Sequence, residues 1–364
     1  MAKAILVTGS AGFIGKHLCL ALEKKGYTVF RFDLTNGEDD LIDYIYESDC
    51  LIHLAGVNRP EKIEDFYKGN TEFTRRIVEL VRKHNPKVPI IYASSIQAEL
   101  DNDYGKSKKM GEEALLSSGL DVYIYRLCNV FGRGCRPDYN NVIATFCAHI
   151  ANETPVWIRD PDFVLSSNYI DDVIASFIRA IERPMDSEIH YVEPVYGESL
   201  GHIAGLIRYF KGEVESQRHL PLIKDEFELK LFKTFCYYLS DEGQEFNKVE
   251  DSRGYFEEIY KSKRWGQISD NLIYPGISKG GHYHNRKKEI FYTVIGNSHI
   301  EQRNIDDGNT MEITVDGRHP SPVDIYPNHV HTITNVGEGN SHTLMWISEI
   351  YDENQPDTYK QEDT

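Results

Sequence analysis

No two of the cysteines form a CxxC pair, and the last third of the chain has none; the six lie at Cys19, Cys50, Cys128, Cys135, Cys147 and Cys236. That spacing excludes a zinc–cysteine cluster and offers no disulfide framework, so the thiols are read as reduced and mostly buried. Long apolar runs are missing too. None approaches the roughly 20 residues of a membrane span, and the N-terminus lacks a basic region followed by a long apolar segment and a cleavage site. Positive charge is scarce, with 40 Lys and Arg against 57 Asp and Glu and a formal net charge of −17. A chain of that sign is repelled by nucleic-acid backbones and anionic membrane surfaces, which argues against both as partners; an anionic small ligand needs a locally basic pocket. The expectation is a cytoplasmic protein.

At 364 residues, the chain exceeds the size at which one hydrophobic core usually stops growing, so two domains are expected. Residues 4 to 8, AILVT, form a short apolar run, and after GSAGFIG the apolar positions Leu18, Ala21 and Leu22 take the spacing of one helix face. Further buried strands are read in YTVFRFD, DCLIHLAG and PIIYASS, with helical stretches such as TEFTRRIVELVRKH between them. This alternation predicts an α/β domain with a doubly wound parallel sheet of the Rossmann type. After about residue 245, short runs rich in Tyr, Ile, Thr and Val recur between Gly, Pro, Asn and Asp, which predicts an all-β sandwich or barrel. The boundary is placed in SDEGQEFNKVE, residues 240 to 250, giving domains 1–245 and 246–364.

Two constellations carry chemistry. In TGSAGFIG, Gly9, Gly12 and Gly15, with Phe13 and Ile14 among them as cofactor-binding candidates, lie between the first strand and the first helix, so main-chain N–H groups and the helix N-terminus can face a pyrophosphate. Asp33, eighteen residues beyond Gly15, suits a ribose 2′-hydroxyl and favours NADH, whereas Arg31 keeps NADPH open. Tyr104 and Lys108, in YGKSK, are spaced to meet on one helix face, where an ammonium would lower the phenol's pKa; Ser94 and Ser95 end the preceding strand. The second constellation is GISKGGHYHNRKKEIFYTVIG. There His282 and His284 share one face of a strand, and Glu289 can join them across the next turn. PNHVHTITN adds His331, with His329 as its rival. Three imidazoles and a carboxylate suit one divalent metal, zinc before nickel, manganese or iron. His299, His319 and His342 match no ligand spacing.

The glycine loop, the serines and YGKSK together resemble the extended short-chain dehydrogenase/reductase family, as do HLAG at 53 to 56 (with Leu54, Ala55 and Gly56), Asn70, RLCNVFG with Arg126 and Asn129, and YIDDV. The resemblance implies that Tyr104 protonates a carbonyl oxygen during hydride transfer, that Ser95, or else Ser94, hydrogen-bonds it, and that Lys108 holds the nicotinamide ribose. It also implies NADPH or NADH as cofactor and a nucleotide-linked sugar as substrate, with Arg133 and Arg136 of RGCRPDYN, beside Arg126 and Asn129, on the diphosphate side. GISKGGHYH and the residues after it reproduce the first cupin motif. Together with EDSRGYFEE and its Arg253, the region also resembles the sugar-nucleotide 3,5-epimerases, in which the histidine at His282 is a base. Lys279, Tyr283 and Tyr326 are further candidate acids or bases.

A reductase joined to an epimerase-like metal cupin resembles the bifunctional reductase/epimerase enzymes of capsular-polysaccharide synthesis. That family implies a UDP-linked 2-acetamido-2,6-dideoxy 4-keto sugar as substrate and a homodimer. A second reading keeps the reductase and makes the cupin a stabilising or dimerising module.

Overall fold

The computed structural model describes residues 3–183, 189–216, 219–239 and 248–360. They divide into two compact units, one of residues 3–208 and 225–239, the other of residues 209–224 and 248–360. Of the stretch expected to join two domains, residues 240–247 lie outside the described residues. No described helix is long and apolar enough to cross a membrane.

In the first unit, strands β1 (Ala4–Thr8), β2 (Thr28–Phe32), β3 (Cys50–His53), β4 (Ile90–Ser95) and β5 (Val122–Leu127) form a sheet ordered β2-β1-β3-β4-β5, with the short strand Ile189–His190 at its edge. Every pairing is parallel. Each strand is an apolar run because both faces are covered. Leu6, Leu51, Ile90 and Ile124 pack against Leu41 and Ile45 of helix Glu38–Glu47 and Ile77, Leu80 and Val81 of helix Phe73–His84. The alternate residues Ile5, Val7, Ile52 and Ile91 are fully buried as well. The chain moves from β1 to β2 on one side and returns to β3 on the other, so the strand order reverses at β1. In a sheet of this kind, the crevice beyond the C-terminal ends of these strands is where a ligand binds.

The second unit is all strand apart from its contribution to the end of helix Leu200–Lys211 and the turn that follows. One sheet contains Gly254–Ser262, Gly266–Ile273, Ser341–Ile347, Glu289–Ile295 and Val323–Ile325; the other contains Thr310–Asp316, Asn297–Asn304, His329–Asn335, Ser278–Tyr283 and Tyr359–Lys360. Ile273, Phe291 and Met345 of the first sheet and Ile300, Val315 and Ile333 of the second belong to one core, so the sheets face each other. The core is built by period-two alternation: in Asn297–Asn304, Ser298, Ile300 and Gln302 point inward. Residues 209–224 join this unit through His219–Leu220, which pairs in parallel with Lys261–Ser262, and through Glu213, which bonds Lys263 at 2.7 Å.

All six cysteines are free, and Cys19, Cys50, Cys135 and Cys147 are buried.

Candidate active sites

In the first unit, the glycine loop is tight because it must fold against two neighbours. A Cβ on Gly15 would lie 2.2 Å from the Gly9 carbonyl oxygen and 2.8 Å from Ser10 Cα, so only hydrogen fits there. The Gly12 N–H bonds the Gly9 carbonyl at 3.0 Å, and helix Phe13–Lys24 starts at once with no side-chain cap, leaving its first N–H groups for a ligand. Asp33 Oδ2 accepts the Ala11 N–H at 2.7 Å, which ties the end of β2 to the loop. Arg31 is engaged elsewhere, with its Nη2 2.8 Å from Glu23 on helix Phe13–Lys24. Leu54, Ala55 and Gly56 follow β3 beside the loop, where the Ala55 N–H donates to Thr8 Oγ1 at 3.3 Å. A Cβ on Gly56 would stand 2.7 Å from Asn70 Oδ1 and 3.5 Å from Lys108 Nζ. Loop, turn and lysine therefore share one crevice.

Tyr104 and Lys108 sit on helix Asp103–Leu116, capped by Asn102 through the Gly105 N–H at 2.8 Å. The expected depression of the phenol by Lys108 is not what the structure shows. Burial raises the Tyr104 pKa, and a hydrogen bond with Ser95 draws it part of the way back. Lys108 donates instead to the Ala93 carbonyl at 2.8 Å, and burial lowers its pKa to about 8 against the opposing charge of Glu112. With both groups buried, desolvation outweighs any mutual effect. The two serines part company. Ser95 faces Tyr104, whereas Ser94 donates to Glu112 Oε1 at 2.5 Å. Glu112 also holds Arg126, with Nε at 3.0 Å and Nη2 at 2.7 Å, while Glu99 takes Nη1, so this arginine is committed to carboxylates.

Asn70 lies in a π-helical turn, Tyr67–Glu72, ahead of helix Phe73–His84. Its side chain bonds both main-chain groups of Val57, at 2.8 and 2.9 Å, and donates to Ser107 Oγ at 3.0 Å. Its carbonyl anchors a buried chain of bonds. Thr74 Oγ1 donates to it at 2.6 Å, which fixes His53 Nε2 as donor to Thr74 at 3.0 Å and His53 Nδ1 as acceptor from Thr8 Oγ1 at 2.7 Å. Arg133 and Arg136 are exposed on the loop after Phe131; the first pairs with Asp171 at 3.4 Å and the second lies over the Tyr139 ring at 5.3 Å. His17 bonds the Arg133 carbonyl at 2.9 Å, and Asn129 Oδ1 accepts from Asn141 at 2.8 Å.

In the second unit, His282 and His284 lie beside His331, with ring centroids 5.1, 4.7 and 5.4 Å apart pairwise, and each of the three offers a nitrogen within 4.8 Å of the others. Glu289 completes the set, with Oε1 3.6 Å from His284 Nε2 and Oε2 3.1 Å from His331 Nε2. Main-chain carbonyls accept from Nδ1 of His284 (Asp357, 2.5 Å) and of His331 (His329, 3.1 Å), so each of these rings turns its Nε2 to the cluster. Burial and the two neighbouring imidazoles lower the pKa of His282 to about 4, which keeps it neutral. His284 Nε2 and Glu289 Oε2 are buried without a hydrogen-bond partner. Orphaned buried atoms of this kind call for a ligand, and a set of three imidazoles with one carboxylate fits a divalent cation such as zinc. A bulge at Gly280 to His282 sets the geometry. Gly280 has φ 111°, and a Cβ there would meet the His331 carbonyl at 2.5 Å. His329 is outside the cluster, bonded to the Pro327 carbonyl at 2.8 Å. Lys279 spends its ammonium on Tyr255 O, Asn271 Oδ1 and Leu272 O, at 2.9 to 3.1 Å. Tyr283 stacks on Tyr359, and Tyr326 is exposed beneath Lys288.

Residues 5–192 match the NAD dependent epimerase/dehydratase family, and residues 249–359 match the Polysaccharide biosynthesis C-terminal domain. A Pseudomonas aeruginosa protein, UDP-2-acetamido-2,6-beta-L-arabino-hexul-4-ose reductase, is 37% identical over 98% of this chain and 97% of its own length. The chain belongs to the NAD dependent epimerase/dehydratase family. A crystal structure of the capsular polysaccharide assembling protein CapF from Staphylococcus aureus is similar to this member of the family from end to end, with a TM-score of 0.89 and 36% identity over 99% of this chain and 100% of that one. A Bacillus cereus UDP-glucuronic acid 4-epimerase solved with NAD shares the fold over 65% of this chain and 98% of its own, at 20% identity and a TM-score of 0.56.

Sequence reasoning about this epimerase/dehydratase family member missed Glu112 and Asp357. Glu112 carried one faint signal, its place four residues after Lys108 on the same helix face. Asp357 lies in the stretch NQPDTY, whose resemblance to the family gave it no role, because the N–H groups it meets are some 70 residues away in sequence.

Proposed function

We propose that this chain is a two-site sugar-nucleotide enzyme that acts as a cytoplasmic homodimer. In this reading, the second unit is a cupin barrel that epimerises C3 of a UDP-linked 2-acetamido-2,6-dideoxyhexos-4-ulose. The first unit then reduces the C4 ketone, giving UDP-N-acetyl-6-deoxy-L-talosamine on the way to UDP-N-acetyl-L-fucosamine for surface polysaccharide. The observation that carries it is the presence of two built sites, the Ser95–Tyr104–Lys108 group and the His282–His284–Glu289–His331 cluster, in a chain similar throughout to a protein named as a 4-ulose reductase.

In the first site, NADPH or NADH supplies the hydride when bound. Tyr104 supplies the proton to O4, Ser95 hydrogen-bonds the same oxygen, and Lys108, held by Ala93 and neighbouring Asn70 at Gly56, takes the ribose side. Arg133 and Arg136 face the diphosphate of the substrate. Both are exposed on that loop, whereas Arg126 is buried and bound to Glu112 and Glu99 and serves the scaffold under Ser94. In the second site, His282, His284, Glu289 and His331 would hold a divalent cation, whose Lewis acidity would polarise a substrate oxygen when it is bound. With Lys279 saturated by acceptors, Tyr283 and Tyr326 are the side chains left to move the C3 proton.

The order follows from carbonyl chemistry. A C3 hydrogen is acidic only while C4 is a ketone, because the charge left behind must spread onto that oxygen. Epimerisation comes first, and reduction draws that reversible step forward. The test is NMR of the product formed from the 4-keto sugar nucleotide with and without NADPH. The expected result is a C3-epimerised ketone without cofactor and a 6-deoxy-talo sugar with it. Unchanged C3 configuration in both samples would contradict the reading.

A further inference from the structure

Asp357 is 3% exposed and has a left-handed backbone, with φ 47°, in a C-terminal stretch where residues 351–356 and 358–360 are all exposed. A buried carboxylate persists only where hydrogen bonds replace its water, and here they come from the loop that follows the histidine pair. Oδ1 accepts the Asn285 N–H at 3.2 Å, and Oδ2 accepts the N–H groups of Arg286 at 3.0 Å and Lys287 at 3.2 Å. Three successive main-chain N–H groups turned to one anion make a nest. The same residue's carbonyl receives His284 Nδ1 at 2.5 Å, and the Pro356 carbonyl receives Lys287 Nζ. Beyond it, Tyr359 pairs with Tyr283 and their rings stack at 5.4 Å, so the strap lies along the ligand strand itself.

A strap that only pinned the chain end would have no reason to meet the imidazole. A carbonyl accepts and never donates, so its contact requires a proton of His284 on Nδ1 and makes Nε2 the nitrogen that faces the cluster, 3.6 Å from Glu289. His331 finds the equivalent carbonyl two residues back in its own strand; His284 finds it only in the strap. We infer that Asp357 is a positioning residue: by gripping the 285–287 nest it holds its own carbonyl against His284, and so makes metal affinity depend on the C-terminal strap. The inference rests on the proposed reading of the histidine cluster as a cation site.

The experiment uses the full chain and three proteins, the wild type, D357A and D357N. Asparagine tolerates the left-handed backbone and keeps one acceptor, whereas alanine keeps neither advantage. Zn2+ affinity is read by competition with a chromophoric chelator, the ligand set by the visible spectrum of the Co2+ form, and the integrity of the other unit by NADPH binding. The expected result is about 10- to 100-fold weaker Zn2+ binding in D357A, a smaller loss in D357N, a changed Co2+ spectrum in both, and unaltered NADPH affinity. Wild-type Zn2+ affinity in folded D357A would overturn the inference and leave the cation reading standing. Should D357A not fold, wild-type affinity and spectrum in D357N would overturn it in the same way. A wild-type protein that takes up no Zn2+ at all would sink the cation reading itself, and the inference with it.

Discussion

A histidine sealed between two buried threonine hydroxyls has no water to solvate the charge of a second proton. His53 is fully buried, and burial, with a smaller contribution from Lys108, lowers its pKa to about 3. The unfolded chain, with an ordinary histidine pKa, therefore takes up this proton first as the pH falls. The stability is fully present above about 6.5 and is lost between there and about 3, with a slope of up to about 1.4 kcal/mol per pH unit. In His53→Asn, which keeps one donor and one acceptor, the acid limb of the first unit's unfolding should be flatter by that slope; circular dichroism of urea titrations between pH 4 and 7.5 reads it. An equally steep limb in the variant would show that another group governs acid sensitivity. At this scale the sequence was legible wherever a residue's role follows from close neighbours in the chain. Tyr104, Lys108, His282, His284 and Glu289 were singled out by local spacing together with the family resemblance of the motifs that hold them. Choosing between Ser94 and Ser95 required Glu112, and choosing between His331 and His329 required the register of the strand against Ser278–Tyr283.

Among the elements, β1, the glycine loop and helix Phe13–Lys24 form a tightly constrained unit, because two backbone segments touch where a side chain would stand. Gly15→Ala places a methyl against main-chain atoms that cannot rotate away. Overpacking of that sort costs about 1–3 kcal/mol, and the loop that must shift is the one that would receive the pyrophosphate. NADPH titration by fluorescence should show weakening of tenfold or more, with Zn2+ uptake by the other unit unchanged; undiminished NADPH affinity would remove this loop from the cofactor site. Strand, loop and helix were legible here because a short continuous apolar run gives way, across three glycines, to apolar positions at helical spacing. The π-helical turn Tyr67–Glu72 was not. Its residues suit an α-helix equally well, and the extra residue per turn is accounted for by bonds from Asn70 to Val57 and Ser107, partners 13 and 37 positions away. The bulge at Gly280 escaped notice for the same reason, since only the opposing strand reveals it.

At the scale of the whole molecule, the sequence texture separated a parallel α/β unit from a strand-rich one, since that contrast is repeated in every element. It did not reveal that residues 209–224 go with the strands: the pairing of His219–Leu220 with Lys261–Ser262 spans some forty residues and leaves no period to read. The central claim concerns both units, each acting on the same carbonyl-bearing sugar, with proton exchange at C3 assigned to one and hydride transfer to C4 assigned to the other. Tyr104→Phe separates them, because it removes the proton donor of the first site and leaves every residue of the histidine cluster unchanged. The decisive measurement follows this variant, in deuterium oxide with the 4-keto sugar nucleotide and NADPH, by mass spectrometry of the sugar and absorbance of the cofactor. The account predicts that nicotinamide oxidation falls by about 10²- to 10⁴-fold, while deuterium enters C3 at the wild-type rate. Loss of deuterium entry together with hydride transfer, in a folded protein, would contradict it.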